Sequence, residues 1–219
     1  MPKVSDAHLE ARRQQILEAA EACFSRQGFH QTTMQDICRE AELSPGAVYR
    51  YFSSKEDIIA ASCRACSQQN LARIQSAAEQ SDDPLVVLDM LVDLDFGWLE
   101  KPEAQDHLRL NIQLWAEALR SPQVMDSFQQ ANFEIYRVAL TGLLERAQAQ
   151  GQIDPLLDSD AAARVLLSSW HGLVLQRAFD PEVDVSKYVS VLKAMYRGSF
   201  STGGPGKPSP TNSRNRWPE

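Results

Sequence analysis

Along almost the whole chain, apolar residues recur three and four positions apart, the spacing that keeps them on one side of a helix. Alternating β-rich runs closed by Asn-Gly or Asp-Gly turns are missing. The pattern predicts an all-α fold of about nine helices, near residues 7–27, 33–40, 44–52, 54–79, 84–100, 103–119, 122–149, 159–178 and 185–197. Helix starts are marked chemically. Asp83-Pro84 and Ser121-Pro122 each set a capping side chain before a proline, whose missing N–H is harmless in a first helical turn. Thr33-Met-Gln-Asp36 and Ser53-Ser-Lys-Glu56 resemble capping boxes. Gly28 and Gly151 follow long periodic segments and suit helix ends.

From Gly198 the chain changes character. The run GSFSTGGPGKPSPTNSRNRWPE is rich in Gly, Pro and Ser with little to bury, so residues 198–219 are expected to be a disordered tail. Across all 219 residues, 43% hydrophobic and 23% charged is ordinary globular composition. No apolar run approaches the roughly 18 residues of a membrane span, and Met1-Pro-Lys-Val-Ser-Asp6 lacks the apolar core of a secretory signal. A cytoplasmic protein without membrane contact is the expectation. Cys23, Cys38, Cys63 and Cys66 sit in the first third of a chain long enough to build a core without disulfides, which fits a reducing compartment.

Charge divides the chain into two parts. The 22 Lys and Arg against 29 Asp and Glu leave −7, which excludes a uniformly basic chromatin-type protein. Residues 1–55 balance at seven basic and seven acidic groups, so the whole deficit lies beyond them; Leu43 to Lys55 holds no acid at all. A neutral head with an acid-free tip on an acidic body suits contact with phosphate at one end.

That tip carries the most specific pattern. Two short predicted helices, TMQDICRE and PGAVYRYF, flank Ala41-Glu-Leu-Ser44, the arrangement of a helix-turn-helix whose second helix enters the major groove. Met34, Ile37, Cys38 and Ala41 form the inward stripe of the first helix, and Val48 and Phe52 that of the second. Gly46, Ala47, Tyr49 and Arg50 are left facing outward. Ser44 caps the second helix, Pro45 begins it, and its free N–H groups suit a phosphate. Gly46 permits close backbone approach. Arg50 has the fork to bond guanine twice. Tyr49 and Tyr51 add flat rings with hydroxyls, and Lys55 is a phosphate contact that positions rather than specifies.

The run from Arg13 to Ile59 resembles the DNA-binding head of the TetR family of repressors. It carries Ile16-Leu-x-Ala-Ala-x-x-x-Phe24, the turn Gly28-Phe29, Thr32-Thr-x-x-x-Ile37, Ser44-x-Gly-x-x-Tyr-x-Tyr-Phe52 and the closing Lys55-Glu56. The resemblance implies that Thr33, Ser44, Pro45, Gly46, Ala47, Tyr49, Arg50, Tyr51 and Lys55 line the DNA side. It also implies a homodimer on a palindromic operator, released when a small-molecule effector binds the body. The expected division is a helix-turn-helix domain over 1–53 and a ligand-binding and dimerisation domain over 54–197. The stretch from NIQLWAEALRSPQV to QAQGQID resembles one common type of TetR effector domain, without naming a ligand.

In the body, a step of 100° per residue sorts the side chains onto faces. Over 84–100, Val87, Leu91, Leu94 and Trp98 share an apolar face with Asp95 at its edge, while Asp89, Asp93 and Glu100 form a solvated stripe. Over 103–119, His107 and Asn111 lie among Leu108, Leu114, Trp115 and Ala118; over 122–149, Asn132 lies among Met125, Phe128, Tyr136, Ala139 and Leu143. Buried polar groups need partners, since an unmet one costs about 1–3 kcal/mol. Either they satisfy one another or they await a ligand. An effector site of Asp95, Trp98, His107, Asn111, Trp115, Phe128, Asn132, Tyr136 and Trp170 is therefore expected, for an amphipathic molecule with one polar end.

The last two helices are apolar on both sides. Ala163, Leu166, Trp170 and Val174 suit the core, as do Val185, Val189, Leu192 and Tyr196. Val165, Ser168, Gly172 and Leu175, with Val191 and Met195, are left for a second layer, which a twofold mate supplies. Cys63-Arg-Ala-Cys66 places two thiols on one helix face; no second pair follows, so neither metal nor cofactor is expected, and redox sensing stays open. The favoured reading is a non-enzymatic, ligand-responsive repressor. The alternatives are a helical enzyme using Asp95, His107 and Asn111 for acid–base work, and a DNA-binding regulator that needs no ligand or that activates. Neither a nucleophile beside a base nor a Gly-rich phosphate loop supports the enzyme.

Overall fold

The computed structural model describes residues 6–101 and 104–199, the side chains of Asp6, Asp106, Asn132 and Ser199 excepted. The tail expected from Gly198 lies outside the described residues from position 200 on. Every regular element among them is helical: α1 (Asp6–Gln31), α2 (Met34–Glu40), α3 (Pro45–Val48), α4 (Lys55–Gln80), α5 (Pro84–Gly97), a 3₁₀ turn (Trp98–Glu100), α6 (Ala104–Ala118), α7 (Pro122–Gln129), a π turn (Gln130–Glu134), α8 (Ile135–Ala149), α9 (Ser159–Phe179) and α10 (Val185–Ser199).

The caps explain where these helices begin. Thr33 and Asp36 form a reciprocal capping box on α2, and Ser44, Asp83, Ser121 and Asp158 accept N–H groups at the starts of α3, α5, α7 and α9. Such a cap stabilises its helix by about 1 kcal/mol. The box expected at Ser53 is displaced by one residue: Ser54 caps α4 by accepting from Asp57 N–H, and Asp57 in turn accepts from Ser53 N–H at 3.0 Å. Gly28 ends the regular part of α1 at φ 80°, a conformation costly for a side-chain-bearing residue.

Three boundaries depart from the periodicity. The helix expected over 44–52 is one turn, Pro45–Val48, tightening through Tyr51 N–H to Val48 O at 2.9 Å. Ser54 is extended where it caps α4, so the chain straightens before a second regular turn can form. The helix expected over 84–100 narrows into a 3₁₀ turn at Trp98. The long helix expected over 122–149 contains the π turn, which inserts an extra residue and rotates everything beyond it.

The π turn redistributes the core. Phe128, before it, and Ala131, within it, pack with Ile16, Phe24, Ile37 and Val48 of the head and with Ile58 of α4. Beyond it, Leu140 and Leu144 pack with Leu88, Leu108, Leu166 and Leu173 in the body. Leu143 joins Ile74, Val87 and Leu91 in a third cluster between α4, α5 and α8. Leu94, grouped by periodicity with Leu91, is instead 48% exposed. The α4 helix runs from one core to the other, with Ile58, Ile59 and Cys63 in the first and Ile74 and Ala77 in the third.

Candidate functional site

The residues expected to be functional fall on two surfaces and around one cavity. The first surface is the tip of α2–α3. Thr33 and Ser44 are exposed caps, Pro45, Gly46 and Arg50 are exposed, Ala47 is half-buried, and Tyr49 is 51% exposed. A Cβ built on Gly46 meets nothing within 4 Å, so nothing inside the protomer calls for glycine there. Tyr51 is half-buried against the head core. Lys55 points back: its ammonium donates to Phe29 O at 2.6 Å, tying the start of α4 to the end of α1. The reading frame is stiffened elsewhere as well. Gln15 donates to Ala41 O at 2.7 Å, Arg26 pairs with Glu40 at 2.5 Å, and the Arg13 guanidinium lies 5.4 Å from the Phe52 ring centre.

The second surface runs along α9 and α10. Val165 (60%), Leu175 (43%), Val191 (60%) and Met195 (59%) are exposed, as is Ser168, while Gly172 is half-buried and would accept a Cβ without contact. Phe179, one turn beyond Leu175 and 81% exposed, extends the same apolar strip; its period-seven relation to Gly172 was the signal for it.

The cavity, about 500 Å³, lies between α1, α4, α5, α6, α8 and α9. That size suits a small organic molecule. Of the residues expected to line it, Asp95, Trp98, His107, Asn111, Tyr136 and Trp170 do. Trp115 does not; it packs behind, with its ring 5.5 Å from that of His171. Phe128 is also away from the wall, buried in the head-side core because the π turn separates its face from that of Tyr136. The Asn132 side chain lies outside the described residues.

One polar network dominates the wall. Asp95 Oδ1 accepts from Tyr136 OH at 3.1 Å and lies 3.3 Å from Arg73 Nη1; Arg73 also donates to Tyr136 OH at 3.2 Å and to Asn70 Oδ1. Asn70 donates to Ala131 O at 3.3 Å, within the π turn. Burial raises the Asp95 carboxyl above the usual carboxylate range, and Arg73 and Tyr136 pull it only part of the way back. The same burial, with Asp95 beside it, holds the Tyr136 phenol firmly protonated. His107 does not pair with Asp95; its Nδ1 faces Glu21 Oε1 at 3.3 Å, and Trp98 meets its ring edge-on at 5.4 Å.

Arg73 Nε, Trp170 Nε1 and His171 Nε2 are buried without a partner among the described residues. His171 Nδ1 is 2.7 Å from Leu167 O, so it carries the proton and leaves Nε2 as a bare acceptor. Burial lowers the His171 pKa and keeps the ring neutral. Arg73, Asn70 and Glu21 were missed in the sequence. Cys63, Cys66, Asn70, Arg73 and Ala77 do recur at three and four spacing, which could have flagged the α4 wall. Burial pushes the Cys63 thiol up to about 12, and that of Cys66, which is exposed and lines the cavity, is raised as well, the opposite of what a redox sensor needs. No group of three or more metal-ligating side chains occurs among the described residues, and no described helix is long and apolar enough to cross a membrane.

Two family profiles match the chain. One, "Bacterial regulatory proteins, tetR family", covers residues 16–62; the other, "BetI-type transcriptional repressor, C-terminal", covers 90–198. The chain is 28% identical over 186 residues to the HTH-type transcriptional regulator UidR of Escherichia coli K12, spanning 85% of this chain and 91% of that protein. Among solved structures it is similar to Salmonella enterica GusR, with a TM-score of 0.70 at 29% identity over 89% of this chain and 96% of that one. It also superposes on a transcriptional regulator from Saccharomonospora viridis in complex with choline, with a TM-score of 0.75 at 24% identity over 88% and 98%.

Proposed function

Because the chain belongs to the TetR family of bacterial regulatory proteins, we propose that it is a repressor that binds a palindromic operator as a homodimer and lets go when a small molecule fills the body. The head over 1–53 reads DNA, the body over 54–197 binds the ligand and the partner protomer, and the protein works in the cytoplasm, where its operator is. Tyr49, Arg50 and the Ser44–Ala47 turn meet the duplex, with Arg50 reading a base and the others gripping phosphates. Thr33, Tyr51 and Lys55 complete that side; Lys55 does so while bound to Phe29 O.

The observation that carries the ligand reading is α4 itself. Its first turns are built into the head core, and its Asn70 and Arg73 stand in the cavity wall, 3.3 Å from Ala131 O and from Asp95. A guest that displaces Arg73 or Asn70 must shift the helix that carries the head. Coupling of this kind between two sites typically amounts to ~1–3 kcal/mol. A fold neighbour that holds choline supports a small organic guest in such a body. Wall residues Asp95, Trp98, His107, Asn111, Tyr136 and Trp170 are the contacts, and the guest is amphipathic with one polar end. The apolar strip of Val165, Ser168, Gly172 and Leu175 on α9, with Val191 and Met195 on α10, is the surface of the homodimer.

Selection of bound duplexes from a random pool, followed by sedimentation of the complex, tests the reading. A recovered inverted repeat carrying two protomers supports it. Recovery of no common sequence, or turnover of a small molecule without DNA dependence, refutes it and favours the enzyme.

A further inference from the structure

The cavity is not closed off by the body alone. Gln14, Leu17, Glu18 and Glu21 of α1 form one of its walls, so the first helix of the head is in reach of whatever lies inside. The charges facing the cavity do not balance. Glu18, Glu21 and Asp95 stand against Arg73, and Arg73 is already engaged with Asp95, Tyr136 and Asn70. The excess negative charge therefore sits on the α1 wall. There Glu18 accepts an amide from Gln14 at 3.0 Å, Glu21 faces His107 at 3.3 Å, and both carboxylates are exposed. Trp98 flanks the same spot, its ring 5.4 Å from that of His107.

We propose that the effector is an organic cation whose charge is met by Glu21 of α1, in place of His107, while its apolar part lies against Trp98 and Phe96. This rests on the reading of the cavity as the effector site and adds the ligand's charge and its anchor. The carboxylate attracts the charge directly, and the Trp98 and Phe96 rings give the apolar part a surface to bury against. The anchor also has a consequence for release. The Glu21–His107 pair joins α1 to α6, so a cation that takes over Glu21 uncouples head from body at that joint, independently of Arg73 on α4.

Three probes that share a benzyl group separate the outcomes: benzyltrimethylammonium, its uncharged isostere neopentylbenzene, and phenylacetate as an anion. Each is titrated into the full-length protein while tryptophan emission is followed, since Trp98 and Trp170 line the cavity. The wild type should bind the cation about fivefold or more tighter than the neutral isostere. Glu21→Gln should erase that preference while leaving the neutral isostere's affinity unchanged, which also certifies that the cavity is intact. Asp95→Asn should retain the preference. The proposal is overturned if the wild type prefers phenylacetate or shows no preference. It is equally overturned if the preference survives Glu21→Gln and disappears in Asp95→Asn. If none of the three probes binds, the effector reading of the cavity falls with it.

Discussion

The head and the body handle their polar groups in opposite ways. In the head, side chains that could bond are bonded to one another: Thr33 with Asp36, Arg26 with Glu40, Gln15 with Ala41 O, Lys55 with Phe29 O. Tyr49 and Arg50 stand exposed on the outer surface. In the body, an ion pair and a tyrosine line a cavity of about 500 Å³, and Arg73 Nε, Trp170 Nε1 and His171 Nε2 are buried with no partner among the described residues. A region whose bonds are closed keeps its shape when it meets a rigid duplex. A region with unmet groups around a void has something to gain from a guest. On the proposed reading, DNA recognition and ligand response rest on different degrees of completion, joined by α4.

The largest effect is expected at the apolar strip of α9 and α10, the proposed dimer surface. Gly172→Trp should abolish the dimer and, with it, tight binding to a palindrome. A Cβ at 172 touches nothing inside the protomer, so the fold itself should survive. Sedimentation and circular dichroism together decide; a folded mutant that stays dimeric puts the interface elsewhere.

Next in size are the changes at the tip. Arg50→Ala should cost roughly 1–3 kcal/mol at one base position and relax preference there, whereas Tyr49→Ala should weaken all sequences alike. Binding measured on the selected palindrome and on single-base variants separates the two patterns. Unchanged affinity in both mutants would contradict the account of the head.

A subtler difference is expected with pH. Burial raises the Asp95 carboxyl in the folded protein, so the folded state holds that proton more tightly than the unfolded chain. The stability it contributes is full below the ordinary carboxylate range and is lost as pH rises through the raised folded value. Asp57 and Asp160 are shifted down by hydrogen bonds, from Ser53 and from Arg164 first, and contribute with the opposite sign. Urea denaturation of wild type and Asp95→Asn from acid to neutral pH isolates the body's share. The mutant should lose less stability, or gain more, than the wild type as pH rises.

The smallest effect belongs to the turn of the head. Glu42 adopts φ 53°, in the left-handed region where a side chain is strained. Glu42→Gly should stabilise the protein by about 0.5–1 kcal/mol without changing operator preference. Thermal melting would register it.

The two regions also differed in how far they could be read from the sequence. The head is written in local spacing: Ser44-Pro45 starts a helix, Val48 and Phe52 face inward, and Gly28 stops α1, all within a few residues of one another. The body is closed by partners far apart in the chain, such as Arg73 with Asp95, Asn70 with Ala131, and Glu21 with His107. No periodicity announces those pairs. The π turn at Gln130–Glu134 adds a second obstacle, because a constant 100° step puts Phe128 and Tyr136 on one face when they belong to two. Asp95 was legible as an acid out of line with its stripe, but its partner Arg73 was not.

The claim that head and body are one device is tested most directly by reciprocity. A compound that raises the melting temperature and quenches Trp98 and Trp170 is taken as a cavity ligand, and operator affinity is measured by anisotropy with and without saturating amounts of it. The ligand's own affinity is then measured on the free and the operator-bound protein. The account predicts that the ligand weakens operator binding by about 5- to 150-fold and that the operator weakens ligand binding by the same factor. A ligand that fills the cavity while operator affinity stays within about twofold, a coupling well under that range, would contradict it.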